Sequence, residues 1–179
     1  MAFEPPKRPA ESKQRLLILL ILEKLGRCSD MQLLQFLFDQ DLMNYFDMMF
    51  TLNDLCDQGL TQRLERIGQT FYQLTEAGKE TLTLFENRLP ASQRELIEEL
   101  SPRWRARIQR EQDFQSAYHQ TQRGDYELHL RVMEQDMEMV HISLSLPSEE
   151  IARTMKENWP EHAQSIYADL FNKLGEKNV

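Results

Sequence analysis

Apolar residues recur at helical spacing through the first sixty positions and at alternate positions in two later stretches, and the changes of period divide the chain. Residues 13–25 (KQRLLILLILEKL) favour helix and are almost wholly apolar in the middle, with Gly26 where a helix-ending left-handed residue belongs. Ser29 can accept a backbone hydrogen bond as the N-cap of a second helix, DMQLLQFLFDQ. Asn44 is placed to cap a third helix running to Gln58. Its apolar positions Tyr45, Met48, Met49, Leu52, Leu55 and Cys56 follow i, i+3, i+4 spacing, and Gly59 ends it.

After Gly59 the period falls to two. Leu60, Leu64, Tyr72 and Leu74, interrupted by Arg66-Ile67-Gly68-Gln69, predict two short strands and a polar turn. Thr75 should cap a helix from Glu76 to about Arg88, stopped by Pro90. Ser92-x-x-Glu95 reads as a capping box opening a connector helix, and Ser101-Pro102 as the N-cap and first residue of its restart. Between 114 and 146 the alternation returns. Tyr126, Leu128, Leu130 and Val132 line one strand face, and Val140, Ile142, Leu144 and Leu146 the matching one. Pairing 130 with 142 and 128 with 144 requires a three-residue turn or a bulge near Gln135-Asp136-Met137. With a preceding strand at Phe114 to Thr121, this makes a three-stranded antiparallel sheet. Two final helices are expected, one capped by Pro147-Ser148 and one opened by Pro160. Ala163, Ile166, Tyr167, Leu170, Phe171 and Leu174 in the second should cover the apolar sheet face, with Trp159 anchoring the same core.

The order helix, helix, helix, hairpin, helix, with the phrase GLTQRLERIGQTFYQLTEAGKE and its Leu-Thr-Glu-x-Gly turn at Leu74 to Gly78, resembles the winged helix-turn-helix modules of multiple-antibiotic-resistance and phenolic-acid-response regulators. The whole chain is similar to the uncharacterised bacterial family catalogued as domain of unknown function 4364, through LLILLILEKL, DLMNYF, LTEAGKETLTLFENRLP and ENWPEHAQSIY. The fold class expected is α+β: an N-terminal winged helix, a connector helix, and a C-terminal three-stranded antiparallel sheet covered by two helices. The boundaries follow as a flexible tail over 1–12, the winged helix over 13–90, the connector over 91–112, and a dimerisation or sensing domain over 113–179.

The resemblance implies a homodimeric transcriptional regulator on double-stranded DNA; the alternative is a winged-helix protein-interaction module without direct DNA binding. In a helix-turn-helix the second helix of the motif offers cations and amides to the major groove. The third helix here has neither Arg nor Lys. Its polar stripe is Asn44, Asp47, Thr51, Asp54 and Gln58, in which Asn44 and Thr51 are the candidate base contacts and the carboxylates oppose phosphate. Arg63, Arg66 and Gln69 on the hairpin are the other candidate DNA contacts, and Lys7, Arg8, Lys13 and Arg15 precede or open the first helix. Tyr45, Phe46, Met48, Met49 and Phe50 are expected to be absorbed by core packing, contact with another protein being the alternative. On the connector, Trp104, Arg107 and Ile108 are the candidate dimer interface. Its arginines, 103, 105, 107 and 110, admit DNA contact, pairing with a second subunit, or solvation.

A formal net charge of -8 excludes a protein that coats nucleic acid indiscriminately. The longest apolar run, Leu16 to Leu22, is well short of the ~18 residues of a membrane span, and the polar, proline-rich start does not read as a secretory signal, so a cytoplasmic location is expected. Cys28 and Cys56 lack CxxC spacing and are read as reduced thiols. No nucleophile elbow, phosphate loop, HExxH or GxGxxG motif occurs, so no enzyme and no cofactor is expected. His129 and His141 come near each other diagonally on the polar sheet face and raise a metal site as an idea. No carboxylate or thiol is seen to converge on them, so the expectation is a solvent-facing polar surface and no metal. Sequence alone identifies no small-molecule effector.

Overall fold

The computed structural model describes residues 9–66, 69–135 and 137–175. It divides into two compact units, Met1–Ile108 and Gln109–Val179, so the division falls inside a helix rather than at its end.

The first unit is built on α1 (Pro9–Leu25), which is buried on every side from Leu16 to Leu22. A helix apolar all round belongs at the centre of a core, and α1 packs against the third helix, the fourth helix and the hairpin. Gly26, at φ 78°, closes it by donating to the Leu22 carbonyl. A two-residue strand that the periodicity did not reveal, β1 (Cys28–Ser29), follows. Ser29 then caps α2 (Asp30–Asp39) in a full capping box: its hydroxyl accepts from the Gln32 N–H, and the Gln32 side chain accepts from the Ser29 N–H. Asn44 caps α3 (Tyr45–Asp57) as expected. The exit of α3 is a Schellman turn in which Gly59, at φ 70°, donates to Cys56 and Leu60 donates to Leu55. The hairpin β2 (Thr61–Arg66) and β3 (Gln69–Leu74) is antiparallel, and β1 adds to its far side, giving the order β1-β3-β2. Its tip, Ile67-Gly68, lies outside the described residues.

Thr75 caps α4 (Glu76–Phe85), which ends in a single 3-10 turn at Glu86–Arg88. The next helix, α5 (Ala91–Asp113), departs from expectation twice. Ser92 does not cap it; the Pro90 carbonyl accepts from the Gln93 and Arg94 N–H groups instead. Ser101-Pro102 does not restart it either. Pro102 lies inside one continuous helix, and the buried Ser101 hydroxyl donates back to the Ile97 carbonyl four residues earlier, the local option open to a serine within a helix.

The second unit is the sheet β4 (Phe114–Gln120), β5 (Tyr126–Glu134), β6 (Met137–Leu146), in that order, with α6 (Glu149–Gly175) on one face. Leu130 pairs with Ile142 and Leu128 with Leu144, as apolar matching demands. The device is the bulge. Val132 pairs with Val140 but Met133 with Glu138, which leaves Met139 as the extra residue and shortens the turn between Glu134 and Met137. Gln135 takes φ 56° to make that turn. The predicted pair of final helices is one helix with Pro160 inside it. An interior proline costs about 3 kcal/mol in an exposed helix. Here its neighbours Trp159 and Ala163 are sealed in the core with Leu128, Leu130 and Val132, and the Trp159 indole donates to the Arg131 carbonyl at 3.2 Å. Beyond Tyr167 the apolar stripe runs off the sheet: Phe171 is 70% and Leu174 83% exposed, so the sheet does not cover the end of α6 as expected.

Candidate functional site

The solvent face of α3 is not the polar stripe that spacing suggested. Thr51 is 3% exposed, on the same side as Met48, Leu52 and Leu55, and is therefore withdrawn as a contact residue: a buried hydroxyl cannot reach a groove. Asp54 is turned inward and ion-pairs with Arg15 of α1. Asn44 is exposed, but its amide is occupied by Asp47, accepting from the backbone N–H at 3.0 Å and donating to the carboxylate at 2.8 Å. The exposed stripe is Phe46, Phe50, Asn53 and Asp57, spaced four, three and four apart. Phe46 is 81% and Phe50 67% exposed, so core packing does not absorb them.

On the hairpin, Arg63 is exposed on β2, where its guanidinium donates to Glu65 Oε1 at 3.0 Å; that bond and the adjacent charge raise its pKa further. Thr70 of β3 also donates to Glu65. Arg66 and Gln69 are register partners next to the tip, and Gln69 is exposed; the Arg66 side chain lies outside the described residues. So do Lys7 and Arg8 of the tail.

The three residues expected at a dimer interface lie within the first unit's own structure. Ile108 is 2% exposed in its core, and Trp104 is half-buried against that core with its ring edge-on to Phe36 at 5.3 Å. Arg107 stacks over Trp104 and donates to Gln35 at 3.1 Å. Ile108 is therefore corrected from interface to core, because its apolar surface is already spent on contacts within the chain, and Trp104 spends part of its surface there too. The i, i+4 spacing that placed them on one face was right; which partner that face met was not legible.

The polar face of the second unit holds a constellation that the pattern of residues did not reveal. His119 of β4 sits opposite Glu127 of β5, and His129 lies one pleat further along the same face. His119 Nε2 is 3.6 Å from Glu127 Oε2, and His129 Nε2 is 3.8 Å from Glu127 Oε1. Ser143 of β6 donates to Glu127 Oε1 at 2.8 Å, and His141 Nε2 meets His129 Nδ1 at 3.0 Å. The His119 and His129 rings are stacked at 5.6 Å. A carboxylate and a second imidazole therefore do converge on His129, with His141 at its other ring nitrogen. The missing signal was the β4 to β5 register, which a turn at Gly124 settles by setting 119 opposite 127.

Among the described residues no helix is long and apolar enough to cross a membrane. What the geometry defines is a mixed α+β protein with two three-stranded antiparallel sheets. The chain belongs to the family described as Domain of unknown function (DUF4364), whose model matches residues 14–174. No curated protein and no solved structure matches it.

Proposed function

We propose that the chain is a winged helix-turn-helix transcriptional regulator that binds double-stranded DNA as a homodimer, with Arg63, Arg66 and Gln69 of the hairpin as its main contacts. The observation that supports this reading is the pairing of β1 with β3, which ties the hairpin to the segment between α1 and α2, while β2 contacts α3; a wing beside a recognition helix would be held in this way. The wing then supplies phosphate or minor-groove contacts, and α3 contributes little base reading, having no cation and an aromatic outer face. Fluorescence anisotropy against promoter-region DNA across a salt series tests it. Log affinity should fall linearly with log salt, and Arg63→Ala with Arg66→Ala should reduce the slope by about two, roughly one for each phosphate left without its arginine. Absence of binding at low salt refutes it.

The homodimer forms, on this reading, through the second unit. Met139, Ile142, Tyr167, Leu170, Phe171 and Leu174 line an apolar groove beside β6, an edge strand of its sheet, and a second copy offers the same surface across a two-fold axis. A dimeric mass in light scattering that becomes monomeric in Phe171→Asp is the expected result.

A second reading is favoured by one observation, the exposure of Phe46 and Phe50 on α3. A contiguous aromatic stripe on that helix suits a protein partner better than a phosphate backbone. If this reading holds, DNA binding is absent at low salt.

A further inference from the structure

The geometry points to a divalent transition-metal site of the zinc class on the sheet of the second unit, with His119, Glu127 and His129 as ligands and a fourth position open to solvent. One ligand atom from each of the three residues lies within 4.8 Å of the others. Tetrahedral zinc with bonds of about 2.0–2.2 Å to imidazole nitrogen and carboxylate oxygen sets its ligands about 3.4 Å apart. The separations of 3.6 Å from His119 Nε2 to Glu127 Oε2 and 3.8 Å from His129 Nε2 to Glu127 Oε1 are close to that, and side-chain rotation has to draw the three ligand atoms, now within 4.8 Å of one another, onto one ion. The chemistry of the donor set selects the metal: two imidazoles and one carboxylate suit zinc and its neighbours rather than calcium or magnesium, which take oxygen ligands.

Surrounding groups orient the ligands in the manner of a built site. A ligating histidine donates its second ring N–H to an outer partner, which fixes the tautomer that leaves the other nitrogen free for metal. His129 Nδ1 meets His141 Nε2 at 3.0 Å, so His129 donating there leaves its Nε2 facing Glu127. His141 Nδ1 in turn faces Glu138 Oε1 at 3.8 Å, and Glu138 is drawn to Arg131, whose Nε lies 3.1 Å from Oε2 as an ion contact rather than an aligned hydrogen bond. Ser143 donates to Glu127 Oε1, the oxygen nearer His129, and so fixes the carboxylate. In this arrangement one ligand atom each of His119, Glu127 and His129 lies in a single cluster, and a cation is what such a cluster accommodates. His119 is the most exposed of the three, so the open position is on its side, where water or a ligand atom of an exogenous molecule completes the shell.

The test uses the full chain, stripped with chelator and titrated with zinc by calorimetry and with cobalt by absorption. The expected result is one equivalent per chain and a four-coordinate cobalt spectrum without thiolate charge transfer. His119→Ala and His129→Ala should each weaken binding by more than about 100-fold, and His141→Gln by about 10–100-fold, the range for an outer-shell partner. All three residues lie on the polar face, so these variants should keep the wild-type circular dichroism. His162→Ala, on the exposed face of α6, and Cys28→Ser with Cys56→Ser should bind as the parent does. Unchanged affinity in His129→Ala, loss of binding in the cysteine variant, or no binding by the parent chain overturns the assignment.

Discussion

Replacing Gly78 by alanine should destabilise the first unit, although alanine is the better helix former. Gly78 is the last residue of the Leu-Thr-Glu-x-Gly turn and lies in the first turn of α4 with no left-handed φ, so its backbone conformation suits any residue. Helix propensity alone predicts a gain of about 1 kcal/mol for Gly78→Ala. The obstacle is space: a Cβ built there would lie 2.1 Å from the Leu60 carbonyl oxygen and 2.8 Å from Leu74 Cδ1. The leucine side chain can rotate away. The carbonyl cannot move alone, because it accepts from the Thr75 N–H at 3.1 Å and from the Thr75 hydroxyl at 3.0 Å. Relief of the clash therefore costs overpacking strain of about 1–3 kcal/mol and most of two hydrogen bonds at about 1 kcal/mol each. Set against the propensity gain, the net loss is about 2–4 kcal/mol. Chemical denaturation followed by far-ultraviolet circular dichroism measures it directly, with Ala77→Gly as a control for propensity at an exposed neighbour. A Gly78→Ala protein as stable as the parent, or more so, would refute the reasoning, since it would mean that α4 does not dock on the Leu60 carbonyl.

Two further outcomes follow from burial. Burial pushes the Cys28 thiol up from 9.0 to about 12. A group whose folded pKa is raised contributes stability below its unfolded pKa and loses it as pH rises, so between about pH 9 and 12 the parent should lose stability relative to Cys28→Ala by up to about 1.4 kcal/mol per pH unit, measured as the difference between their denaturation curves. Burial also raises Tyr72, a loss common to both proteins that cancels in that difference. On α3, Phe46→Ser with Phe50→Ser should change unfolding free energy by no more than about 0.5 kcal/mol per site, whereas Leu52→Ala, at 0% exposure, should cost about 2–5 kcal/mol; comparable losses would mean that the aromatic stripe is covered within the chain.

Local chemistry made much of the fold readable. Ser29, Asn44 and Thr75 each have an oxygen that a helix N-terminus needs, and each is found capping one. Gly26 and Gly59 stand where left-handed backbone ends a helix. What misled were signals that tertiary packing overrides. Pro102 and Pro160 read as helix starts because an interior proline forfeits a hydrogen bond, yet Ile97, Ile108, Trp159 and Ala163 bury enough surface around them for each helix to run through. On α3, polar residues at helical spacing suggest an outer face. The stripe instead flanks the core, with Asp54 satisfied by Arg15 and Thr51 small enough to be sealed in, while the phenylalanines point outward. Nothing in an isolated helix says which of its two stripes meets the rest of the chain. The strand β1 was invisible because two residues carry no period.

The second unit shows how one geometric choice determines both a core and a surface. With a two-residue turn and no bulge, Leu130 would face His141 and His129 would face Ile142, placing imidazoles among the leucines beneath α6 and leucines in water. The extra residue at Met139 restores Leu130 to Ile142 and, by the same shift, puts His141 on the face of His129 and Glu127. The apolar pairing that drives the fold therefore assembles the histidine cluster at no additional conformational cost, since every strand position that is odd on β4, β5 and the far part of β6 must point away from α6. Metal affinity at His119, Glu127 and His129 is in consequence a reporter of strand register. A substitution that slips β4 by one residue removes His119 from the site and exposes Tyr118 and Phe114 together, so a fall in zinc affinity and a loss of core stability should appear in the same variants.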